Sequence, residues 1–332
     1  MTRASGRSLA GGCVAATRVG GIVLMLALGQ APSALADQKP PVFGASVTAV
    51  EVDVFVTNRD TPVTDLSAAD FEVFDNGVRQ EASLASLDTV GVTAVLAIDT
   101  SQSVRGATLA HLKDAARAFV LGLTDRDQAA VLAFSHELTL QSPATSDRAA
   151  LERAIGQLSA DGATAVFDAL YVALERSWPG GRPMVVLYTD GADNLSWLDA
   201  DTVLAAARES NALVYVVGPA PVETVAVDNA LSLHAGAGVP APKARPEDAS
   251  VQRLREIAEL TGGRFWTVES PAFLKQRFLD ILAAMKTRYL LKYEPQGVEL
   301  AGRHRIKVRV KGRKVDVRHR LEYSAPLRGS HP

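Results

Sequence analysis

Short apolar runs alternate with helical patterns between residues 91 and 286, and this alternation constrains the fold more than any other feature of the chain. The apolar runs lie at 92–98, 129–135, 184–189, 212–218 and 264–268, with a short edge strand after Ser135 at 136–141. The helical patterns lie at 106–122, 147–158, 165–177, 199–210, 249–261 and 271–286, with Asp147 and Asp199 as expected helix caps. Such alternation predicts an α/β domain with a doubly wound, mostly parallel sheet covered by helices.

The two segments that flank this region, 37–90 and 287–324, are predicted to form strands. Alternating valines at Val50 to Val56 give one apolar face, and Asp75-Asn76-Gly77 indicates a hairpin turn. Neither flank has enough apolar surface for a core of its own. We therefore expect them to pair into one small β-domain, with 91–286 inserted between them and 325–332 as a frayed tail. The alternative is that each flank adds strands to the central sheet.

The first 36 residues have the pattern of a secretory signal peptide. Arg3, Arg7 and Arg18 precede the apolar stretch 21–29, and small residues at 34–36 supply a cleavage site before Asp37. This pattern predicts export to the periplasm or the cell exterior. The rival interpretation is a retained membrane anchor, although the apolar stretch is short for a membrane span.

Export would leave a chain without disulfides and with a weakly acidic charge. The single cysteine, Cys13, lies inside the predicted signal peptide. Without the three arginines of that segment, 32 basic and 37 acidic residues remain, a net charge of −5. This balance excludes an overall electrostatic attraction to nucleic acid.

Five oxygen-bearing side chains follow predicted strands or fall in the loops beside them. Asp99, Ser101 and Ser103 alternate directly after the apolar run 92–98. Thr164 lies in the loop before a predicted helix, and Asp190 follows the run 184–189. Parallel sheets bind ligands at the carboxyl ends of their strands. Carboxylate and hydroxyl oxygens suit a hard cation such as Mg²⁺, so we expect a metal site there.

These five residues resemble the metal-ion-dependent adhesion site of the von Willebrand factor A (VWA) family. That site has an Asp-x-Ser-x-Ser stretch after the first strand, a Thr in a later loop and an Asp after the fourth strand. Asp99, Ser101, Ser103, Thr164 and Asp190 match it in order. The resemblance implies a Rossmann-like fold and a Mg²⁺ site, with Mn²⁺ or Ca²⁺ as alternatives.

The resemblance also implies a binding function. In VWA domains the hydroxyls ligate the cation, and the aspartates ligate directly or through water. The cation then takes a carboxylate from a partner protein. This chain is accordingly expected to be a protein-binding, adhesion-type module and not an enzyme, with helix 271–286 as the element that moves in the family.

The flanks resemble a bacterial group of secreted VWA-related proteins that is common in acidobacteria. The matching stretches are 63–77, which ends in Asp75-Asn76-Gly77, and 289–295 with 303–308. The group usually ends its last strand with Gly-Tyr, where this chain has Glu322-Tyr323. The resemblance implies no defined activity.

Two other functions remain open from the residues. The first is a structural or assembly module in which the metal, if bound, only stabilises the fold. The second is a metal-dependent hydrolase, in which a metal beside Asp99 would activate water. The second is disfavoured because the sequence has no second acid cluster, no His-Glu-x-x-His pattern and no Gly-x-Ser-x-Gly pattern, and its six histidines lack metal-ligand spacing.

Two further segments allow both a functional and a purely structural interpretation. The proline-containing loop 219–247 is either a lid, with Glu223 or Asp228 as an internal metal ligand, or a mobile insertion.

The second segment is the basic tail, in which twelve Lys and Arg residues stand against three acidic residues between Lys286 and Arg320. Arg303, Arg305, Lys307, Arg309 and Lys311 would share one strand face. That face either docks an anionic partner, such as lipid headgroups or acidic glycans, or is a solvated face opposite Glu51 and Asp53.

Overall fold

The computed structural model describes residues 49–85, 90–175, 181–190, 193–220 and 246–325, which lie in one compact unit spanning Val47–Pro332. The predicted signal peptide and most of loop 219–247, including Glu223 and Asp228, lie outside the described residues. Among the described residues, no helix is long and apolar enough to cross a membrane.

A six-stranded sheet forms the centre of the α/β region within the described ranges. Its strands are β6 (Val92–Asp99), β7 (Gln128–Phe134), β8 (Leu138–Thr145), β9 (Arg182–Tyr188), β10 (Leu213–Pro219) and β11 (Arg264–Val268). Their order across the sheet is β11-β10-β9-β6-β7-β8. The five strands from β11 to β7 pair in parallel, and β8 pairs antiparallel with β7. The predicted edge strand at 136–141 therefore exists but extends further, to Thr145.

Helices cover both faces of this sheet. They are α1 (Ala107–Leu121), α2 (Arg148–Gln157), α3 (Val166–Glu175), α4 (Ala200–Glu209), α5 (Pro246–Thr261) and α6 (Leu274–Lys286). Side chains of α1, α2 and α6 join one core cluster, and those of α3, α4 and α5 join another. In β6, Leu96 points into the first cluster and Ala97 into the second. This explains why every residue of that strand is buried and why the strand is apolar except at Thr93 and at its last residue, Asp99.

The helix ends largely follow the sequence signals. Asp147 accepts hydrogen bonds from the backbone N–H of Ala149 and Ala150, and Asp199 accepts one from Thr202, so both predicted caps are confirmed. Helix α5 begins at Pro246, three residues before the predicted start, since proline suits the first turn of a helix. The predicted helix 271–286 is a 3-10 turn at Pro271–Phe273 followed by α6.

Strands from the two flanks pair with each other in two further sheets. The N-terminal strands are β1 (Val50–Asn58), β2 (Thr61–Pro62), β3 (Phe71–Asp75), β4 (Val78–Gln80) and β5 (Ala82–Ala85). The C-terminal strands are β12 (Tyr289–Tyr293), β13 (Gly302–Val310), β14 (Asp316–Arg318) and β15 (Glu322–Ala325). One sheet has the order β14-β1-β12-β5, with β2 on β1, and the other has the order β15-β13-β3-β4. We refer to these two sheets as the β-module.

The β-module has its own core and a turn that the sequence predicts. Apolar side chains from both sheets, including Val54, Val73, Leu291 and Val308, form one buried cluster. The β3–β4 hairpin closes through Asn76 and Gly77, whose φ angles are +47° and +84°. Positive φ at both central residues is the geometry that an Asn-Gly turn provides.

Buried arginines join the β-module to the α/β region. Arg182, at the start of β9, forms a buried ion pair with Asp53 of β1. Arg288 is 1% exposed and donates to the hydroxyl of Tyr215 and to the carbonyl of Gly262. Asp53 is therefore turned toward the α/β region, and Glu51 pairs with Lys292 at 2.5 Å. The face of β13 that carries Arg303, Arg305, Lys307 and Arg309 therefore does not lie opposite Glu51 and Asp53, because β13 pairs with β3 and β15. Lys292 belongs to the basic tail but lies on β12.

Candidate metal centre

The predicted metal residues lie at the carboxyl edge of the central sheet, because β6 and β9 are neighbouring parallel strands. β6 ends at Asp99, and β9 ends at Tyr188, directly before Thr189 and Asp190. Asp99 is fully buried, whereas Asp190 is half-buried. The two carboxylates lie close enough for the charge of Asp190 to act on Asp99.

A tight turn after β6 brings Asp99, Ser101 and Ser103 together. The Asp99 Oδ1 atom accepts a hydrogen bond of 2.8 Å from the backbone N–H of Ser101. The hydroxyl oxygens of Ser101 and Ser103 lie 2.8 Å apart. A short 3-10 turn over Gln102–Val104 produces this approach, since it turns the chain between the two serines. The alternate spacing seen in the sequence thus places all three side chains in one turn.

Thr164 is brought to the same edge through backbone hydrogen bonds. The N–H of Gln102 donates to Gly162, and the N–H of Asp161 donates to Thr100, at 2.9 and 2.8 Å. These bonds hold the loop that carries Thr164 against the turn that carries the serines. The Thr164 side chain is buried.

The electrostatics of the centre favour a bound cation. Burial raises the pKa of Asp99 to about 6; hydrogen bonds from Ser101 oppose this increase, and the nearby charge of Asp190 adds to it. Within the described residues, the Asp190 Oδ1 atom is buried and has no hydrogen-bond partner. An unpartnered buried carboxylate oxygen is costly, and a cation would satisfy it.

The donor set fits a hard divalent cation. Two carboxylates and three hydroxyls supply oxygen ligands only, as Mg²⁺ prefers, and water can complete the shell. In the part of the chain that the structure describes, no cluster of three or more His, Cys, Asp or Glu side chains could hold a metal ion. A cation at this edge would therefore depend on hydroxyls as well as carboxylates.

The structure adds residues that the sequence reasoning did not identify. The Thr189 hydroxyl donates to the Asp99 Oδ2 atom at 3.0 Å, so both oxygens of Asp99 are held. Asn194 accepts from the Thr164 N–H at 2.9 Å, and its own N–H donates to the Thr164 carbonyl. Asp193, Asn194 and Ser196 are residue types typical of a loop, but the sequence could not show that this loop contacts Thr164.

The same loop caps the start of α3, which follows Thr164. The Ser196 hydroxyl accepts from the N–H of Phe167, and Asp193 accepts from the N–H of Val166, both at 3.0 Å. The carboxylate of Asp168 accepts in return from the N–H groups of Trp197 and Leu198. These reciprocal bonds fix the loop beside the metal residues. Trp197 is nevertheless 95% exposed.

Solved structures similar to this chain include several VWA-type domains. A von Willebrand factor type A protein from Catenulispora acidiphila is 15% identical, with 86% of this chain and 76% of that chain covered and a TM-score of 0.47. BatB from Bacteroides thetaiotaomicron is 21% identical, with 59% and 100% covered and a TM-score of 0.42. Proximal thread matrix protein 1 from the mussel byssus, with a zinc-occupied MIDAS motif, is 17% identical, with 63% and 49% covered and a TM-score of 0.46.

The family comparison concerns the stretch that carries the metal residues. No curated protein matches the chain. The family model of the von Willebrand factor type A domain matches residues 94–192, which include all five predicted ligands. The α/β class predicted from the sequence is confirmed, and residues 94–192 of this chain match the family model of the von Willebrand factor type A domain, as the resemblance of the metal residues led us to expect.

Proposed function

We propose that this protein is an exported binding module that uses a divalent cation, held by Asp99, Ser101, Ser103, Thr164 and Asp190, to bind a carboxylate of a partner protein. The observation that carries the proposal is the buried, unpartnered Oδ1 atom of Asp190 beside the buried carboxylate of Asp99. We further infer a doubly wound sheet, which the five parallel strands and the helices on both faces support.

The chain's own residues would prepare the site for its cation. Thr189 and the Ser101 N–H orient the two oxygens of Asp99. The serine hydroxyls and Thr164 are neutral ligands, which leave a bound cation electron-poor. A bound Mg²⁺ would supply Lewis acidity for an incoming carboxylate. We propose binding as the role, because coordination of a partner's carboxylate needs no proton transfer and no bond cleavage.

Two apolar side chains on the loop beside Thr164 would widen the contact. Trp197 is 95% and Leu195 is 42% exposed, and the loop that carries them is fixed by Asp168 and Ser196. Exposed aromatic side chains on a rigid support are typical of binding hot spots. We propose that the partner places an apolar side chain against Trp197 while its carboxylate reaches the metal.

Thermal unfolding tests the metal site first. The purified protein would be melted in EDTA and in Mg²⁺, Mn²⁺, Ca²⁺ or Zn²⁺, beside Asp99→Asn and the exposed control Asp125→Ala. A cation at a hundred times its Kd stabilises by about 2.7 kcal/mol, which corresponds to an increase in Tm of about 4 °C for a chain of this size. The control should keep this increase and Asp99→Asn should lose it.

The partner is tested separately. The biotinylated protein would be incubated with extracts of its own cells, with and without EDTA, and the captured proteins identified. Capture that needs both the metal and Asp99 supports the proposed function. A metal-dependent increase in Tm without metal-dependent capture would favour the alternative, a structural or assembly module in which the metal only stabilises the fold.

Export is tested on the mature N-terminus. We propose cleavage after Ala36 and a periplasmic or extracellular location, on the basis of the sequence pattern at residues 1–36. N-terminal sequencing of the protein from fractionated cells should then begin at Asp37. A chain that keeps its first residues and sediments with membranes would support the anchor interpretation instead.

A further inference from the structure

A groove lined by basic residues crosses the outer face of the sheet β15-β13-β3-β4. Its volume is about 640 Å³. The alternating side chains of β13 line it, and the β3–β4 hairpin lies along one side. The residues that matter here are Arg303, Arg305, Lys307, Arg309 and Phe74.

The β13 register explains this row of cations. His304, Ile306 and Val308 point into the core of the β-module, so the residues between them face outward. Alternate residues of a strand lie about 6.6 Å apart, which gives an evenly spaced row of positive charges. Lys311, which the sequence placed on the same face, lies beyond the end of β13, and its Nζ atom donates to the carbonyl of Ala69.

The acidic side chains on this face are less exposed to solvent than the basic side chains. Arg303 and Arg305 have side chains that are 62% and 80% exposed, and both approach Glu322, whose side chain is only 14% exposed. Glu322 also binds Arg208 at 3.1 Å, so it cannot neutralise the row. Lys307 and Arg309 form no ion pair with any described residue. The groove therefore keeps a positive potential.

We propose that this groove binds a single extended anionic polysaccharide chain of the uronic-acid type. Guanidinium groups bind carboxylates through paired hydrogen bonds, and the row of cations matches a polymer with repeated negative charges. Phe74, which lies opposite Lys307 across the sheet, is half-buried and adds apolar surface to the groove. The Arg309 guanidinium lies over its ring, 5.7 Å from the centroid.

The shape of the face favours a chain over a membrane. The cations stand in a concave groove, which one polymer strand can enter and a flat bilayer cannot. Nucleic acid is disfavoured because single-stranded chains are held by successive stacked bases, and among the described residues that line the groove Phe74 is the one aromatic. This site is separate from the metal centre, and the proposal does not depend on the proposed function.

Affinity electrophoresis of the purified protein in gels that contain polygalacturonate tests the proposal. The triple variant Arg305→Ala, Lys307→Ala, Arg309→Ala removes three exposed charges. The matched control, Arg126→Ala, Arg153→Ala, Lys275→Ala, removes three exposed charges from the α/β region. We expect retardation of the wild type that falls as salt rises, at least a tenfold loss of affinity in the groove variant, and little loss in the control.

Two more arms make the test specific. Glu72→Gln removes an acidic group from the same sheet face, where the side chain is 28% exposed. This variant should bind polygalacturonate more tightly, a result that unfolding of the protein cannot produce. EDTA and Asp99→Asn should leave binding unchanged. Equal losses in the groove variant and its control would overturn the proposal. So would binding to vesicles with anionic lipid that requires the groove while polygalacturonate does not bind, a result that would assign the face to membranes.

Discussion

Asp75 and His304 form a hydrogen bond of 2.8 Å inside the β-module, although 229 residues separate them in the sequence. Both side chains are almost completely buried, at 0% and 1% exposure. The other carboxylate oxygen of Asp75 accepts from the hydroxyls of Tyr293 and Tyr323, at 3.0 and 2.8 Å. One carboxylate from the N-terminal flank therefore binds three side chains of the C-terminal flank.

We expect Asp75→Asn to destabilise the protein strongly. The amide keeps the size of the carboxylate but loses its charge and turns an N–H₂ group toward donors. Breaking such a buried network by changing one member costs about 3–5 kcal/mol. Tyr293→Phe should cost only about 1 kcal/mol, because Tyr323 still donates to the same oxygen. Urea unfolding followed by circular dichroism would measure both values, and similar costs for the two variants would contradict the central role of Asp75.

His319 should make the stability depend on pH. Its Nε2 atom accepts from the N–H of Val308, and its Nδ1 atom donates to the Arg320 carbonyl. Burial lowers the pKa of His319, and the charge of Arg288 adds to this decrease. The neutral ring therefore stabilises the fold above the unfolded pKa of about 6.5, and that contribution is lost as the pH falls below it.

The measurement for His319 is the slope of unfolding free energy against pH between 7 and 5. The wild type should lose stability over this interval more steeply than His319→Gln, in which the group no longer titrates. His111→Gln, a half-buried histidine on α1, is the control and should keep the wild-type slope. Identical slopes for the wild type and His319→Gln would show that His319 is not responsible.

Metal affinity should fall below pH 6. The pKa of Asp99 is about 6 without a cation, so the proton competes with the metal. At pH 5 about one tenth of this carboxylate is ionised, and we expect Mg²⁺ to bind about tenfold more weakly than at pH 7.5. Isothermal titration at the two pH values would measure the ratio, and affinity that does not change with pH would contradict direct competition at Asp99.

The raised pKa of Asp99 also affects the folding stability of the metal-free protein. There a rise in pH lowers stability, whereas it strengthens metal binding. The folded state holds the Asp99 proton more tightly than the unfolded state, so stability should decrease as the pH rises from about 4 to about 6. Asp99→Asn should remove this part of the slope. Melting curves in EDTA across this interval provide the comparison.

Trp197 should contribute to partner binding and not to metal binding. Its indole is almost fully exposed, and its backbone N–H donates to Asp168. Trp197→Ala should therefore keep the metal-dependent increase in Tm and reduce partner capture at least tenfold, as expected for a hot-spot aromatic. Phe273→Ala, another exposed aromatic at 53%, is the control and should change neither measurement.

The elements of the α/β region and their order along the chain follow from local sequence patterns. Strand β6 is recognised from its apolar run, and the caps at Asp147 and Asp199 depend on side chains that bond to their own neighbours. The alternate spacing of Asp99, Ser101 and Ser103 is likewise local, because a single turn holds all three. Such features can be predicted since the interactions that produce them join residues close together in the chain.

Contacts between groups that are distant in the chain depend on the three-dimensional packing. It placed Thr189 on Asp99, wrapped the loop of Asn194 around Thr164, and turned Asp53 toward Arg182 and away from the basic strand. Charge and polarity in the sequence show that these groups need partners but not which partners they find. Pairing is settled by strand register and by the packing of the β-module against the α/β region, where many weak contacts across long sequence separations act together.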